Sequence, residues 1–159
     1  MPFRTKDNTK VADLLPDLSA HIDRAGGKKC LAWKYLASLD KYELMMAEKG
    51  FEVSNGLRAA VLMTTMLEED GKDGAGRRIM QTMMSALKIP KATYFTAVLL
   101  MESRRRLTAK PQKGKARFVH NRDFLDALDY NRIVLRAENR DESALNEWAD
   151  LYEEKGNSK

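Results

Sequence analysis

The chain has 159 residues, enough for one domain with a buried core, and 43% of them are hydrophobic, which argues against a disordered polypeptide. Its 28 basic and 23 acidic residues leave a net charge of +5, so overall charge alone does not single out a polyanion binder. The lone cysteine, Cys30, excludes an internal disulfide and a cysteine metal cluster, and no uncharged apolar run is long enough for a signal segment or a membrane span; the expectation is a soluble cytoplasmic protein with no membrane partner.

Apolar residues recur at three- and four-residue spacing almost throughout, and no stretch alternates with period two. This predicts an all-α protein, a single multi-helix domain of about seven helices over 1–159, with flexible ends at 1–10 and 156–159. A first helix is expected at about 11–24, with Leu14, Leu15, Leu18 and Ile22 inward and Gly26 and Gly27 as its stop. A second runs from about 28 to 48 on Leu31, Trp33, Tyr35, Leu36, Leu39 and Leu44, ending at Gly50. Ser54 or Asn55 caps a third, about 55–69, that carries Leu57, Val61, Leu62 and Met66. After the acidic, glycine-rich turn "EEDGKDGAG", a fourth helix at about 75–88 presents Ile79, Met80, Met83 and Leu87. Pro90 opens a fifth, which runs to about 107 on Tyr94, Phe95, Val98, Leu99 and Met101. "TAKPQKGKA" reads as a loop or short helical link; a sixth helix follows at about 121–138 on Phe124, Leu125, Leu128, Ile133 and Leu135. Asp141 is placed to cap a seventh, about 141–155, with Leu145, Trp148 and Leu151.

Charge is unevenly distributed. In "RRRLTAKPQKGKARFVHNR", residues 104–122, there are eight Lys or Arg and no Asp or Glu. Without those eight the chain holds 20 basic against 23 acidic residues, so the basicity is local, and a local positive field is what a polyanion feels. Arg104, Arg105 and Arg106 also end a helix, where cations meet the negative end of its dipole, but that does not account for the five basic residues that follow. A charge run without counter-charge points to phosphate backbone as partner, and the candidate RNA-binding set is Arg104, Arg105, Arg106, Lys110, Lys113, Lys115, Arg117, His120 and Arg122. Nothing in the stretch is suited to reading bases, so contacts should be weakly sequence-specific. The alternative is a helical protein-interaction module whose basic stretch pairs with an acidic partner or with the acidic last helix, where Glu138 to Glu154 holds seven carboxylates and one Arg.

Catalytic and metal signatures are absent. No phosphate-binding glycine loop, dinucleotide fingerprint or H-E-x-x-H occurs, and neither His21 nor His120 has ligand partners at metal spacing. The nine methionines read as adaptable core filler.

Several segments in order resemble the bacterial poly(A) polymerase branch of the class II nucleotidyltransferases, which also holds the CCA-adding tRNA nucleotidyltransferases. "LLPDLSAHIDRAGG", "LASLDKYELMMAEKG" and "NGLRAAVLMTTMLEE" resemble helices of that family's neck and body, and "LKIPKATYFTAVLLMESRRRL" a segment that leads into arginines. "RFVHNRDFLDALDYNRIVLRAE" followed by "ESALNEWADLYEE" resembles its C-terminal signature, with Tyr130, Leu135, Arg136, Ala137 and Glu138 in matching places. The sequence departs from it at Asn121, where the family has proline, and at Asn131, where Asp is usual. The likeness spans residues 11–154 and rests on order and spacing. It implies a helical, RNA-holding C-terminal part of such an enzyme. The family's head binds Mg2+ and ATP through Gly-Ser and Asp-x-Asp motifs, and neither motif occurs in this sequence. The chain is thus expected to hold RNA for 3'-end adenylation performed by a head domain, with no catalytic residue or cofactor of its own.

Overall fold

The computed structural model describes residues 26–68, 88–112 and 116–157 and, singly, Asp23, Gln81 and Ser85. Among them no strand occurs, so the all-α expectation holds. Five α-helices are present: α1 (Leu31–Glu48), α2 (Asn55–Glu68), α3 (Lys91–Leu107), α4 (Phe124–Ala137) and α5 (Ser143–Asn157). Short 3-10 helices lie at Gly27–Lys29 and Ala116–His120. The expected count of seven is therefore not met among the described residues. Of the helices expected at about 11–24 and 75–88, only Asp23, Gln81 and Ser85, each helical, and Lys88, in a turn, are described; the rest of both lies outside, as do the turn after α2, His21 and residues 1–10.

Local chemistry sets most boundaries. The Ser54 hydroxyl accepts the Leu57 N–H at 3.1 Å, so α2 starts one residue later. Helix α1 ends in a Schellman turn: Gly50 N–H donates to Ala47 at 3.0 Å and Phe51 N–H to Met46 at 2.9 Å, with Gly50 at φ 82°. Helix α4 closes the same way through Asn139, at φ 54°. The sixth expected helix, about 121–138, corresponds to α4, and the 3-10 turn Ala116–His120 precedes it. Asp141 accepts the Ser143 N–H at 3.1 Å and caps α5 from just outside it.

Helix α4 is the centre, touching every other α-helix. It buries Phe124, Ala127, Leu128, Tyr130, Asn131, Ile133, Val134 and Leu135, which is more than one face of a helix. Against it and one another pack α1, α2 and α3, with Tyr35, Leu39, Leu57, Ala60, Leu100 and Leu107 in the shared core. The α2–α3 crossing is close because Gly56 has no side chain: a Cβ there would lie 2.7 Å from Thr96 Cγ2.

The inward face of α3 differs from expectation. It buries Ala97, Leu100, Ser103 and Leu107, whereas Phe95 and Leu99 are 61% and 54% exposed. Apolar residues cover most of this helix, so periodicity alone does not choose a face. Packing against two neighbours selects the one with small side chains, which lets backbones approach. Leu44 and Leu125, also expected inward, are likewise exposed.

Candidate nucleic-acid interface

The basic stretch begins in the last turn of α3 and ends just before α4, and the structure gives its members different roles. Arg104 faces inward. Its Nη2 donates to both carboxylate oxygens of Glu138, at 2.5 and 2.6 Å, and the buried Tyr35 hydroxyl donates to the same carboxylate. Arg140 approaches it at 3.5 Å. Glu138 caps the end of α4, so this node ties α1, α3 and α4 together. Burial disfavours the Arg104 cation, but the hydrogen bond and charge of Glu138 outweigh it and raise the guanidinium above its ordinary value. Arg104 is thus committed within the fold. The other candidate arginines are placed differently.

Arg105, Arg106, Arg117, His120 and Arg122 are exposed. Among the described residues no carboxylate lies within ion-pair distance of Arg105, Arg106, Arg117 or Arg122. The Arg106 guanidinium lies over the Phe118 ring, 4.7 Å from its centroid, which holds that cation in one orientation. Lys110 pairs loosely with Glu147 of α5 at 3.8 Å, both side chains exposed. That is the one ion pair between α5 and the basic stretch among the described residues. Lys113 and Lys115 lie outside them.

An aromatic cluster holds the 3-10 helix in place. Phe118 meets Phe124 and Trp148 edge to face at 5.7 and 6.1 Å, and Phe124 stacks on Tyr152 at 5.4 Å. The Trp148 indole N–H donates to the Ala109 carbonyl at 2.8 Å, fastening α5 to the chain just beyond α3. These contacts bring Arg117 to Arg122 beside the α3 terminus.

Two depressions result. The first, about 550 Å3, lies between the end of α3, the 3-10 helix and α5, and is lined in part by Arg105, Arg106, Lys110, Phe118, Asn121 and Trp148. The second, about 290 Å3, lies across the 3-10 helix against α5, where His120, Asn121, Arg122, Tyr152 and Lys155 line it. Sequence reasoning missed Phe118, Asn121, Trp148 and Glu138 as parts of this region. An aromatic set directly after Arg117 inside a charge run was the available signal for Phe118; nothing local marked the others.

Beneath the first depression, Asn131 is fully buried. Its amide donates to Ser103 Oγ at 3.1 Å and to the Ala127 carbonyl at 2.7 Å, while its Oδ1 has no hydrogen-bond partner. On the far side of α4, Tyr42 donates its hydroxyl to Asp129. Burial raises the Asp129 carboxyl, against the lowering effect of that hydrogen bond, and burial followed by Asp129 raises the Tyr42 phenol.

No group of three or more His, Cys, Asp or Glu is gathered as metal ligands among the described residues. No described helix is long and apolar enough to cross a membrane. No family model, curated protein or solved structure matches the chain.

Proposed function

We propose that this protein is an RNA-binding module that holds a phosphate backbone, the part it would play as the C-terminal region of a poly(A)-polymerase-like nucleotidyltransferase. The observation that carries this reading is the group of exposed arginines, Arg105, Arg106, Arg117 and Arg122, without acidic partners among the described residues, around the 3-10 helix. Unpaired guanidinium groups on a rigid support bind phosphates at small ordering cost and release counterions when they do. In this reading Mg2+, ATP and nucleotide addition belong to a head domain, and the module contributes grip.

The test is the salt dependence of single-stranded RNA binding by fluorescence anisotropy. The slope of log affinity against log salt should be about −0.7 per phosphate neutralised. Replacing Arg105 and Arg106 by Gln should make that slope shallower by about 0.7 for each phosphate that is no longer neutralised, with the helical circular dichroism unchanged. Binding that is absent at low salt, or indifferent to these substitutions, sinks the reading. A second reading, a protein-interaction module, draws on the exposed Phe95 and Leu99, one turn apart on α3. Light scattering separates the two: a dimer that persists at high salt and ignores RNA favours the second.

A further inference from the structure

We infer that the two depressions form one track for a single RNA strand, which crosses the 3-10 helix at Asn121 and stacks a base on the Arg106 guanidinium. The inference rests on the RNA-binding reading and adds a path and a base site to it.

Three observations carry it. First, Asn121 lines both depressions, so they adjoin at this residue. Its side-chain oxygen accepts the Asp123 N–H at 2.9 Å, while its backbone N–H and carbonyl bond Phe118 and Phe124. The junction is therefore held still, and the side-chain amide keeps donors for a strand passing over it.

Second, the charges along the path suit a polyanion. The first depression holds Arg105 and Arg106, neither with a carboxylate at ion-pair distance among the described residues, and Lys110, which pairs loosely with Glu147; Glu102 and Asp123 also line it. The second has the cations Arg122 and Lys155 and no carboxylate in its lining. Positive charge thus continues past Asn121. A pocket for one small anion would need no such continuation.

Third, the first depression offers a flat surface as well as charge. Arg106 rests one guanidinium face on Phe118, which is itself wedged against Phe124 and Trp148. The opposite face of an exposed arginine so held is a platform on which an unstacked base can lie, a mode by which proteins recognise single-stranded RNA. The volume, about 550 Å3, is within the range of small-ligand sites, roughly 300–1,000 Å3. An acidic peptide would satisfy the cations but would leave this platform unused.

The experiment uses the full chain with fluorescent oligouridylates, a trinucleotide and a strand of about twelve nucleotides, within the span of single-strand sites. Arg105→Ser should weaken the binding of both. Arg122→Ser should weaken only the longer strand, by roughly fivefold at 0.1 M salt, as expected for one phosphate left without its cation. Asn121→Asp keeps the oxygen that accepts the Asp123 N–H but adds a charge at the junction, and should also weaken the longer strand. Phe118→Leu frees the Arg106 guanidinium and should weaken the trinucleotide while leaving the salt slope intact. RNA binding on which Arg122→Ser has no effect, or the same effect for both lengths, overturns the single track and leaves the RNA-binding reading standing. Polyglutamate competing as well as the longer strand would make the surface a protein site and overturn the inference; no binding of either oligomer overturns both readings.

Discussion

Replacing Glu138 with Ala tests whether the polar node under α3 holds the basic helix end in place. The substitution removes the one carboxylate that the Arg104 guanidinium and the Tyr35 hydroxyl share. The side chains of Arg104 and Glu138 are 24% and 12% exposed, so water screens the pair only in part. Breaking a buried ion pair by removing one partner costs about 3–5 kcal/mol, and partial exposure brings the ionic part here to about 2 kcal/mol. Losing the acceptor of the buried Tyr35 hydroxyl adds about 1 kcal/mol. A total of about 3 kcal/mol in a chain of this size lowers Tm by roughly 6–12 °C. Glu138→Gln keeps an oxygen for Tyr35 and should cost about half as much. Replacing Arg104 and Glu138 together by Met should cost less than Glu138→Ala, because the half-buried cation goes with its counter-charge and only the exposed Arg140 loses a partner. Urea titrations followed by circular dichroism give the free energies. A loss below about 1 kcal/mol for Glu138→Ala, or a double replacement worse than the single, would refute this account of the node. Because Arg104 is committed to Glu138, Arg104→Gln should lower stability and leave the salt slope of RNA binding unchanged.

Three further outcomes follow from the core. Asn131→Asp exchanges an amide that donates to Ser103 and Ala127 for a buried carboxylate, and should cost about 2–3 kcal/mol at neutral pH and less near pH 4, by chemical denaturation. Gly56→Ala should destabilise through its clash with Thr96 Cγ2, by about 1–3 kcal/mol, and Thr96→Ser, which removes that methyl, should recover part of the loss in the double variant. At Asp129 the native carboxyl is raised, so the folded protein holds this proton more tightly than the unfolded chain does. Its contribution to stability is therefore greatest below the ordinary carboxylate range and is lost as pH rises through the raised native value. Asp129→Asn removes that dependence while keeping an oxygen for Tyr42. The stability of the variant relative to the parent should rise as pH climbs above the ordinary carboxylate range, and a gap that does not change with pH would count against the burial account.

Much of the secondary structure was legible because its causes are local. Ser54 beside a helical run, Gly50 after one and Pro90 before one act through backbone geometry within a few residues, and the end of α1 and the starts of α2 and α3 lie where those residues put them. The link around Lys113 to Arg117 showed its proline and glycine, but the 3-10 turn at Ala116–His120 did not stand out, because its stability comes from Phe118 wedging against Phe124 and Trp148. Those partners lie 6 and 30 residues away.

Composition and short-range order were enough to establish that the chain is helical, that its positive charge is concentrated between Arg104 and Arg122, and that no acid interrupts that run. Which of those charges face outward is a property of the packed molecule. Arg104 and Arg105 are adjacent and identical in type, but about 100° of helical rotation directs one to Glu138, 34 residues away, and leaves the other exposed. The same holds for α3, where Phe95 and Leu99 are outside and Ala97 and Leu100 inside because α2 and α4 occupy that side. Which face of a helix is inward depends on where its neighbours pack, and no residue states that about itself.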